Sequence, residues 1–585
     1  MLLNDRGLLI SYVKANWPYY LLAVTLIIAS NVDQAALPRV LGQFTDALKD
    51  GTADRSSIVK YSLLLLAIGV SYGVLFGLGQ YTVMRLGRKF EFQTRQKLFR
   101  KFTDLSEHYF SKQGTGKLLS YVMNDVTSVR ESISNGVNQM TNALFLLLSC
   151  IVMMALSSIP GSLIAISICP LLVIPFLVVY FGPQIRRRSM NVQEALATMT
   201  ESAEEQLGGI RVTKTFAAEE IAKRRFAGPV DGVRDAQLRL VRLSSVFQAM
   251  LPFLGALSLI ASLLVGGYMT IQHTITLGNF VALTLYLRII MGPLQQIGNV
   301  INMMQRSRAS LERVNRLLSE VPDVRESEMA TPLEKVGEIR FRSMSFAYPN
   351  ANGPSLRDID LAIRPGRTLG IVGKTGSGKT TLVKLLLRIY EPPRNTIRID
   401  GQDIRDITLE SLRSKLAYVP QDGFLFSTSI RDNIAFSDRD APLSEIEKGA
   451  KQAMIYDNVI QFPEGFDTKL GERGVTLSGG QRQRTSLARG LMKKAPVLIL
   501  DDSMSAVDAV TESNIIANLK KERKNKTTII ISHRISAVKH ADEIIVLDEG
   551  RIVQRGTHEQ LIMETGGIYA SLHRIQEEGL QHAES

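Results

Sequence analysis

The chain has 585 residues, too many for one hydrophobic core, so at least two domains are expected. Hydrophobic residues at 45% and charged residues at 21% exclude a wholly disordered chain, and only two cysteines, Cys150 and Cys169, exclude a disulfide framework or a multi-cysteine metal site. Mean hydropathy is +0.07, high for a water-soluble chain and low for one made only of membrane spans, which suggests two unlike halves.

The net charge of +13 divides unevenly: residues 1–330 carry +10 and residues 331–585 carry +3. The basic part also holds the long apolar runs. A bilayer span needs about 20 largely apolar residues, and six runs qualify. They lie near Trp17–Leu41, Tyr61–Val83, Asn138–Leu156, Ser162–Phe181, Ser245–Ile271 and Leu277–Met303. The third and fourth are separated only by the turn signal Ser157-Ser158-Ile159-Pro160-Gly161. The first is too long, and lacks the small-residue site, for a cleaved signal peptide.

Basic residues flanking the spans set the orientation. The connections after spans 2 and 4 hold Arg88, Lys89, Arg95, Lys97, Arg100 and Lys101, and Arg186, Arg187 and Arg188. The connections after spans 3 and 5 hold no Lys or Arg. The long connections and both termini are therefore expected to be cytoplasmic. The positive charge is then an orientation signal, and no nucleic-acid partner is expected. Proline is missing between Arg39 and Ile159 and between Gln184 and Gly228, so helices should run on past the bilayer. A 45-residue helix would be about 68 Å long against about 30 Å of hydrocarbon. Short turns around Ser111–Gly116 and Gly208–Gly209 should form the tips. Pro170 and Pro175 in span 4, Pro252 in span 5 and Pro293 in span 6 mark expected kinks. Both cysteines lie in spans and are expected to be buried. Asp33 and Arg288 are ionisable groups at membrane depth; each could face a wet cavity or serve structure, Asp33 near the outer interface and Arg288 in an interhelical pair. Gln248, Gln295, Gln296 and Asn299 could line the same cavity. Arg306–Glu338, with Pro322 and Pro332, reads as helix end plus linker.

From Gly337 onward short β-rich runs alternate with helices, an α/β pattern. Thr368–Val372 reads as a buried strand, followed by Gly373-Lys374-Thr375-Gly376-Ser377-Gly378-Lys379-Thr380-Thr381 and a helix to Tyr390. This strand, G-x4-G-K-T loop and helix together cradle phosphates on backbone N–H groups and the helix dipole. Lys379 should reach the β/γ-phosphates and the Thr380 hydroxyl should coordinate Mg2+. A second buried strand, Val497–Leu500, ends in Asp501-Asp502, where a carboxylate would hold Mg2+. A third, Thr527–Ser532, ends in His533, placed to sense a γ-phosphate. Tyr418-Val-Pro-Gln421 ends in an amide that can reach Mg2+ or water. Leu477-Ser478-Gly479-Gly480-Gln481 is a Gly-rich turn opening a helix, a second anion-binding helix end. Two such ends in one domain suggest ATP sandwiched between two copies of the domain.

These motifs, in this order, resemble the ATP-binding cassette (ABC) transporters of the exporter type, and the resemblance covers nearly the whole chain. It implies six long membrane helices fused to an α/β phosphate-loop nucleotide-binding domain with a helical subdomain. The implied divisions are 1–16 cytoplasmic segment, 17–305 transmembrane domain with two coupling helices, 306–336 linker and 337–585 nucleotide-binding domain. Implied roles follow the motifs: Tyr348 stacks on adenine and Gly373–Thr381 is the Walker A loop. Gln421 is the Q-loop residue, and Thr468–Gly474 precedes the signature Leu477–Gln481. Val497–Asp501 is Walker B, Ser505–Asp508 the D-loop and His533 the switch histidine. Tyr109–Ser120 and Arg211–Ile221 correspond to the coupling helices. ATP and Mg2+ are the implied ligands.

One position departs from the family pattern. The catalytic Glu that follows the Walker B Asp is replaced by Asp502, one methylene shorter. A misplacement of about 1 Å can cost roughly 100-fold in rate. An intact signature beside a weak base resembles the degenerate-site subunits, such as the BmrC type, of bacterial heterodimeric multidrug exporters. The expectation is a multi-pass plasma-membrane protein of a bacterium that exports amphipathic small molecules with a Glu-bearing partner subunit. A homodimer in which Asp502 serves as base, a lipid or lipopolysaccharide flippase and a peptide exporter share these motifs. With the short Met1–Asn16 segment no N-terminal peptidase domain is expected, which leaves open peptide cargo without processing.

Overall fold

The computed structural model describes residues 7–349, 351, 353–471 and 477–584. The chain divides into two compact units. The first comprises Met1–Thr103 and Gln113–Glu320, the second Asp104–Lys112 and Val321–Ser585.

The first unit is helical. A short helix α1 (Gly7–Ala15) leads into α2 (Trp17–Lys49), α3 (Arg55–Asp104) and, after the excursion 104–112, which carries α4 (Glu107–Gln113), into α5 (Thr115–Ser120). Two π-helical turns, Tyr121–Asp125 and Ser132–Gly136, flank α6 (Val126–Glu131) before α7 (Val137–Leu156). Then come α8 (Gly161–Ile168), α9 (Val173–Gly208), α10 (Ile210–Thr215), α11 (Glu219–Ile271) and α12 (Leu277–Ser319). Six helical stretches, the first and fourth each with a short interruption, are long and apolar enough to cross a membrane, in the order expected. The 50 residues of α3 and 53 of α11 correspond to about 75–80 Å of helix, well beyond the hydrocarbon thickness. Leu63, Leu66, Val70 and Val74 of α3 are exposed, as apolar residues are where lipid is the solvent.

Close approach fixes the pairing of α2 with α12. A side chain on Gly278 would collide with the Gly42 carbonyl, and the Asp46 carboxylate accepts from the Gly278 N–H at 2.7 Å, satisfying an orphan donor of the first turn of α12. Asp125, at the end of the first π-helical turn, accepts two hydrogen bonds from the Arg313 guanidinium of α12 and one from Ser310 of the same helix. Two sequence expectations are corrected. Pro170 does not kink a continuous helix: it breaks it between α8 and α9, and Pro175 falls in the first turn of α9, where a missing N–H costs nothing. Cys150 is buried as expected, but Cys169, at that break, is exposed.

The second unit is α/β. A four-stranded sheet has the order β2-β1-β4-β5, from β1 (Ile339–Phe346), β2 (Leu356–Ile363), β4 (Ile397–Ile399) and β5 (Gln402–Asp403). A six-stranded sheet has the order β10-β9-β3-β8-β7-β6, from β3 (Thr368–Gly373), β6 (Leu416–Val419), β7 (Val497–Asp501), β8 (Thr527–Ile531), β9 (Glu543–Asp548) and β10 (Arg551–Gly556). Strands β9, β3, β8, β7 and β6 pair in parallel, and β7 and β8 are buried along their whole length. Such near-continuous apolar runs belong to parallel sheets covered on both faces. The helices are α13 (Lys379–Leu386), α14 (Leu409–Lys415), α15 (Ile430–Ile434), α16 (Leu443–Gln452), α17 (Tyr456–Val459), α18 (Gly479–Met492), α19 (Ala509–Glu522), α20 (Ile535–Val538), α21 (His558–Met563) and α22 (Ile568–Glu584).

Arg388, just beyond α13, is fully buried. Its guanidinium donates to the carbonyls of Ile404, Ile407 and Arg325 at 2.9–3.1 Å and pairs with Glu391. Three backbone acceptors from two separate segments are satisfied by one side chain. Arg388→Met should leave them unpaired and destabilise this unit by about 3 kcal/mol. Thermal unfolding of the purified chain reads the effect as a lowered midpoint.

Candidate functional site

The phosphate loop hangs from the C-terminal end of β3. Gly373 has φ +153°, and a side chain there would run into the Leu547 carbonyl. Gly378 has φ +100°, a left-handed conformation, and a Cβ would strike Leu356 and the Ser355 carbonyl. Lys374, Thr375 and Gly376 are exposed at the crest. Gly378 is the N-cap of α13 and offers no capping side chain, so the first-turn N–H groups at Lys379, Thr380 and Thr381 are left for an external acceptor. The Ser377 hydroxyl is buried without a hydrogen-bond partner. Lys379 is buried and donates to the carbonyls of Gly373 (2.9 Å) and Lys374 (2.8 Å). Burial pulls its ammonium pKa down, while the charges of Asp502 and Asp501 pull the other way. An orphan hydroxyl, uncapped helix N–H groups and a cation around one loop fit a bound phosphate chain. At its flank the half-buried Tyr348 hydrogen-bonds Thr381 at 3.0 Å and packs edge-on against Tyr390.

Parallel pairing places the next two strand ends beside this loop, with Ile371 opposite Ile531 and Ile531 opposite Asp501. Asp501 is buried and accepts from both sides, from the Thr380 hydroxyl and from the Tyr418 hydroxyl, each at 3.0 Å. Burial raises its pKa and these two hydrogen bonds lower it; burial wins. A hydroxyl and a carboxylate in contact are hard oxygen donors of the kind Mg2+ takes, with phosphate and water oxygens completing its shell. Sequence reading missed Tyr418 as a partner of Asp501, although it lies three residues before Gln421.

Asp502 follows in a left-handed conformation, φ +47°, with its N–H donating to the Ile531 carbonyl at 2.8 Å. Its carboxylate sits 3.4 Å from the Gln421 amide nitrogen on one side and 3.4 Å from the His533 N–H on the other. The Gln421 side chain and the His533 backbone N–H thus flank the Asp502 carboxylate. Asp is among the few residues that visit this backbone region readily.

The signature segment opens α18 with a capping box: the Ser478 hydroxyl accepts from the Gln481 N–H, and the Gln481 side chain accepts from the Ser478 N–H. This helix end therefore satisfies part of its own donor set, unlike that of α13. Gly480 is compulsory, because a Cβ would meet the Ala506 carbonyl at 2.8 Å. Gln483 ties the region together, donating to the Gln421 carbonyl and the Ser505 hydroxyl and accepting from the Ala506 N–H. Asp508 caps α19 through the Thr511 N–H at 2.9 Å, and that hydrogen bond lowers its pKa. Residues 472–476, within and after the segment Thr468–Gly474, lie outside the described residues.

In the first unit, Asp33 accepts a hydrogen bond from Ser71 at 2.6 Å, and Arg288 is exposed. Gln248 lines a cavity of about 720 Å³ with Gln139, Phe247, Met303, Arg186 and Arg306. The Gln296 side-chain oxygen is buried without a partner. The side chains of Gln295 and Asn299 lie outside the described residues.

Residues 20–294 match the ABC transporter transmembrane region, and residues 356–505 match the ABC transporter ATP-binding family. The chain belongs to the ABC transporters and is a half-transporter of the exporter fold, with one transmembrane and one nucleotide-binding domain. It is 35% identical over 95% of its length, and 95% of the relative's, to the probable multidrug resistance ABC transporter ATP-binding/permease protein YheI of Bacillus subtilis. It is 34% identical over 91% of its length, and 88% of the relative's, to the ATP-dependent lipid A-core flippase of Syntrophus aciditrophicus. Among solved structures it is similar to a bacterial Atm1-family ABC exporter with ATP bound, with a TM-score of 0.78 and 26% identity over 96% of this chain and 98% of that one. The chain is thus an ATPase whose activity is coupled to transport.

The excursion 104–112 belongs to the nucleotide-binding unit. Its Glu107 carboxylate pairs with Lys384 of α13, the helix that carries Lys379, and His108 lies against Tyr390. Glu107→Lys should weaken the stimulation of ATP turnover by transport substrate several-fold. Glu107→Lys with Lys384→Glu should restore at least half of it, because the pair is regenerated in reverse. Substrate-stimulated ATPase of the single and double variants in vesicles reads the result.

Proposed function

We propose that this chain is the degenerate-site subunit of a heterodimeric exporter that moves amphipathic compounds out across the bacterial plasma membrane, with the nucleotide-binding domain and both termini cytoplasmic. The observation that carries the reading is Asp502. It stands where the family's Glu polarises the attacking water, and its shorter arm leaves the carboxylate between Gln421 and His533.

In this reading each ATP is held between one phosphate loop and the other subunit's signature. Lys379 and the first-turn N–H groups of α13 bind the phosphates, Tyr348 supports the adenine, and Thr380, Asp501 and Gln421 hold Mg2+. The metal's contribution is to neutralise charge on the β- and γ-phosphates. Asp502 orients water weakly, and His533 contacts the γ-phosphate. Ser478, Gly479, Gly480 and Gln481 complete the partner's site, where most hydrolysis occurs, and Asp508 lines the same junction. Closure of the two nucleotide domains turns the membrane cavity outward, and hydrolysis resets it. Multidrug-resistance names among the relatives favour amphipathic drugs as cargo. The lipid A-core flippases among them favour a second reading, a homodimer that flips lipid. ATP-dependent movement of labelled lipid by the purified chain alone would select that one.

The purified chain alone should hydrolyse ATP slowly, and a Glu-bearing partner should restore turnover. Brisk turnover by the single chain contradicts the heterodimer. Asp502→Glu should raise single-site hydrolysis at least tenfold by lengthening the arm. It should also cost about 1 kcal/mol of stability in the left-handed position, seen as a lowered unfolding midpoint.

A further inference from the structure

The last helix, α22, is fastened beside the nucleotide site by one face. Tyr569 is fully buried, with its N–H donating to the Gln554 side chain and its hydroxyl 2.8 Å from His558 Nδ1. Leu572, one turn on, packs against the core. Gln576 is next on that face, at the i, i+3, i+7 spacing. Its amide brackets His533: Nε2 donates to the His533 carbonyl at 2.6 Å, and Oε1 accepts from the Ile535 N–H at 2.9 Å. The orientation is forced, since the flipped amide would set oxygen against oxygen and N–H against N–H.

No regular structure holds this stretch. Strand β8 ends at Ile531 and α20 begins at Ile535; the Ser532 N–H still donates to the Ile371 carbonyl at 3.2 Å, and beyond it His533 and Arg534 are held through side chains. Arg534 reaches the carbonyls of Ser505 and Val507 and the Glu512 carboxylate, and its N–H is taken by the Ser532 hydroxyl. The His533 N–H faces the Asp502 carboxylate at 3.4 Å. Gln576 supplies the remaining restraint, on the His533 carbonyl itself. A side chain on the final helix, 43 residues along the chain, fixes the peptide from which the imidazole projects.

We propose that Gln576 is a positioning residue for His533, and that α22 thereby sets the rate of ATP hydrolysis at this chain's own site. The inference rests on His533 acting at the γ-phosphate. The competing account is that Gln576 only caps the short helix α20 and contributes stability.

The experiment is single-turnover ATP hydrolysis by the purified, assembled transporter carrying Asp502→Glu here and a Gln in place of the partner's catalytic Glu, so that this chain's site is the one read. Adding His533→Ala should slow hydrolysis about 100-fold, the scale of a lost acid–base group. Adding Gln576→Met instead should slow it about tenfold, as expected for a displaced group, with the ATP concentration for half-maximal rate within about twofold. Gln576→Lys keeps a donor for the His533 carbonyl and should recover much of the rate; Gln576→Glu, which keeps only the acceptor for Ile535, should not. Unfolding midpoints are measured for all variants. An unchanged rate for His533→Ala removes the premise. A slow His533→Ala with a normal Gln576→Met overturns the proposal, as does a loss in Gln576→Met that matches its loss of folded protein. If Gln576→Met does not fold, the Lys and Glu variants decide: Lys faster than Glu supports positioning, and equal rates overturn it.

Discussion

The nucleotide site depends on the parallel pairing of β3, β8 and β7. Three strands buried along nearly their whole length can sit side by side only where both faces of the sheet are covered. Once paired, their C-terminal ends open at one edge, the usual place for ligands in open α/β sheets. The phosphate loop, the Asp501–Asp502 pair and His533 come from those three ends, and Gln421 follows the neighbouring β6. Residues scattered over about 160 positions of sequence thereby share one edge of the sheet without a local motif joining them.

Within that frame the two aspartates are held differently. Asp501 is clamped by hydroxyls from both sides, which fixes the orientation of its oxygens, as the proposed metal role would need. Asp502 turns out of the strand in a left-handed conformation, and its carboxylate makes only long contacts with Gln421 and His533. An Asp fits that backbone at low cost but reaches one methylene less far than a Glu. In the proposed reading the phosphate-binding groups are in place, while the group that activates water is short by one carbon. The signature helix, in contrast, has its glycines and cap in place. The proposed role, a weak site of its own and a signature that serves a second subunit, rests on that contrast.

Much of this was legible in the sequence. The six apolar runs, the phosphate loop and the strand-terminal acids all carry spacing or periodicity that local physics dictates, and the helices and strands fall where those patterns place them. The misses share a cause. Tyr418 on Asp501, Arg388 under three carbonyls and Gln576 on the His533 peptide are contacts between distant segments, and no spacing announces them. The break at Pro170 and the harmless Pro175 differ only in their position relative to a helix start, which hydropathy does not mark. That 104–112 groups with the nucleotide-binding unit follows from the Glu107–Lys384 pair, again a long-range contact.

The most direct test of the account is vanadate trapping of a photoreactive ATP analogue in the transporter purified from its native membrane, with the labelled chain identified by mass. The account predicts two different chains in equal amounts and trapped nucleotide on the phosphate loop of the other chain. Trapped nucleotide chiefly on this chain's phosphate loop, or a transporter made of this chain alone with both sites trapping equally, would contradict it.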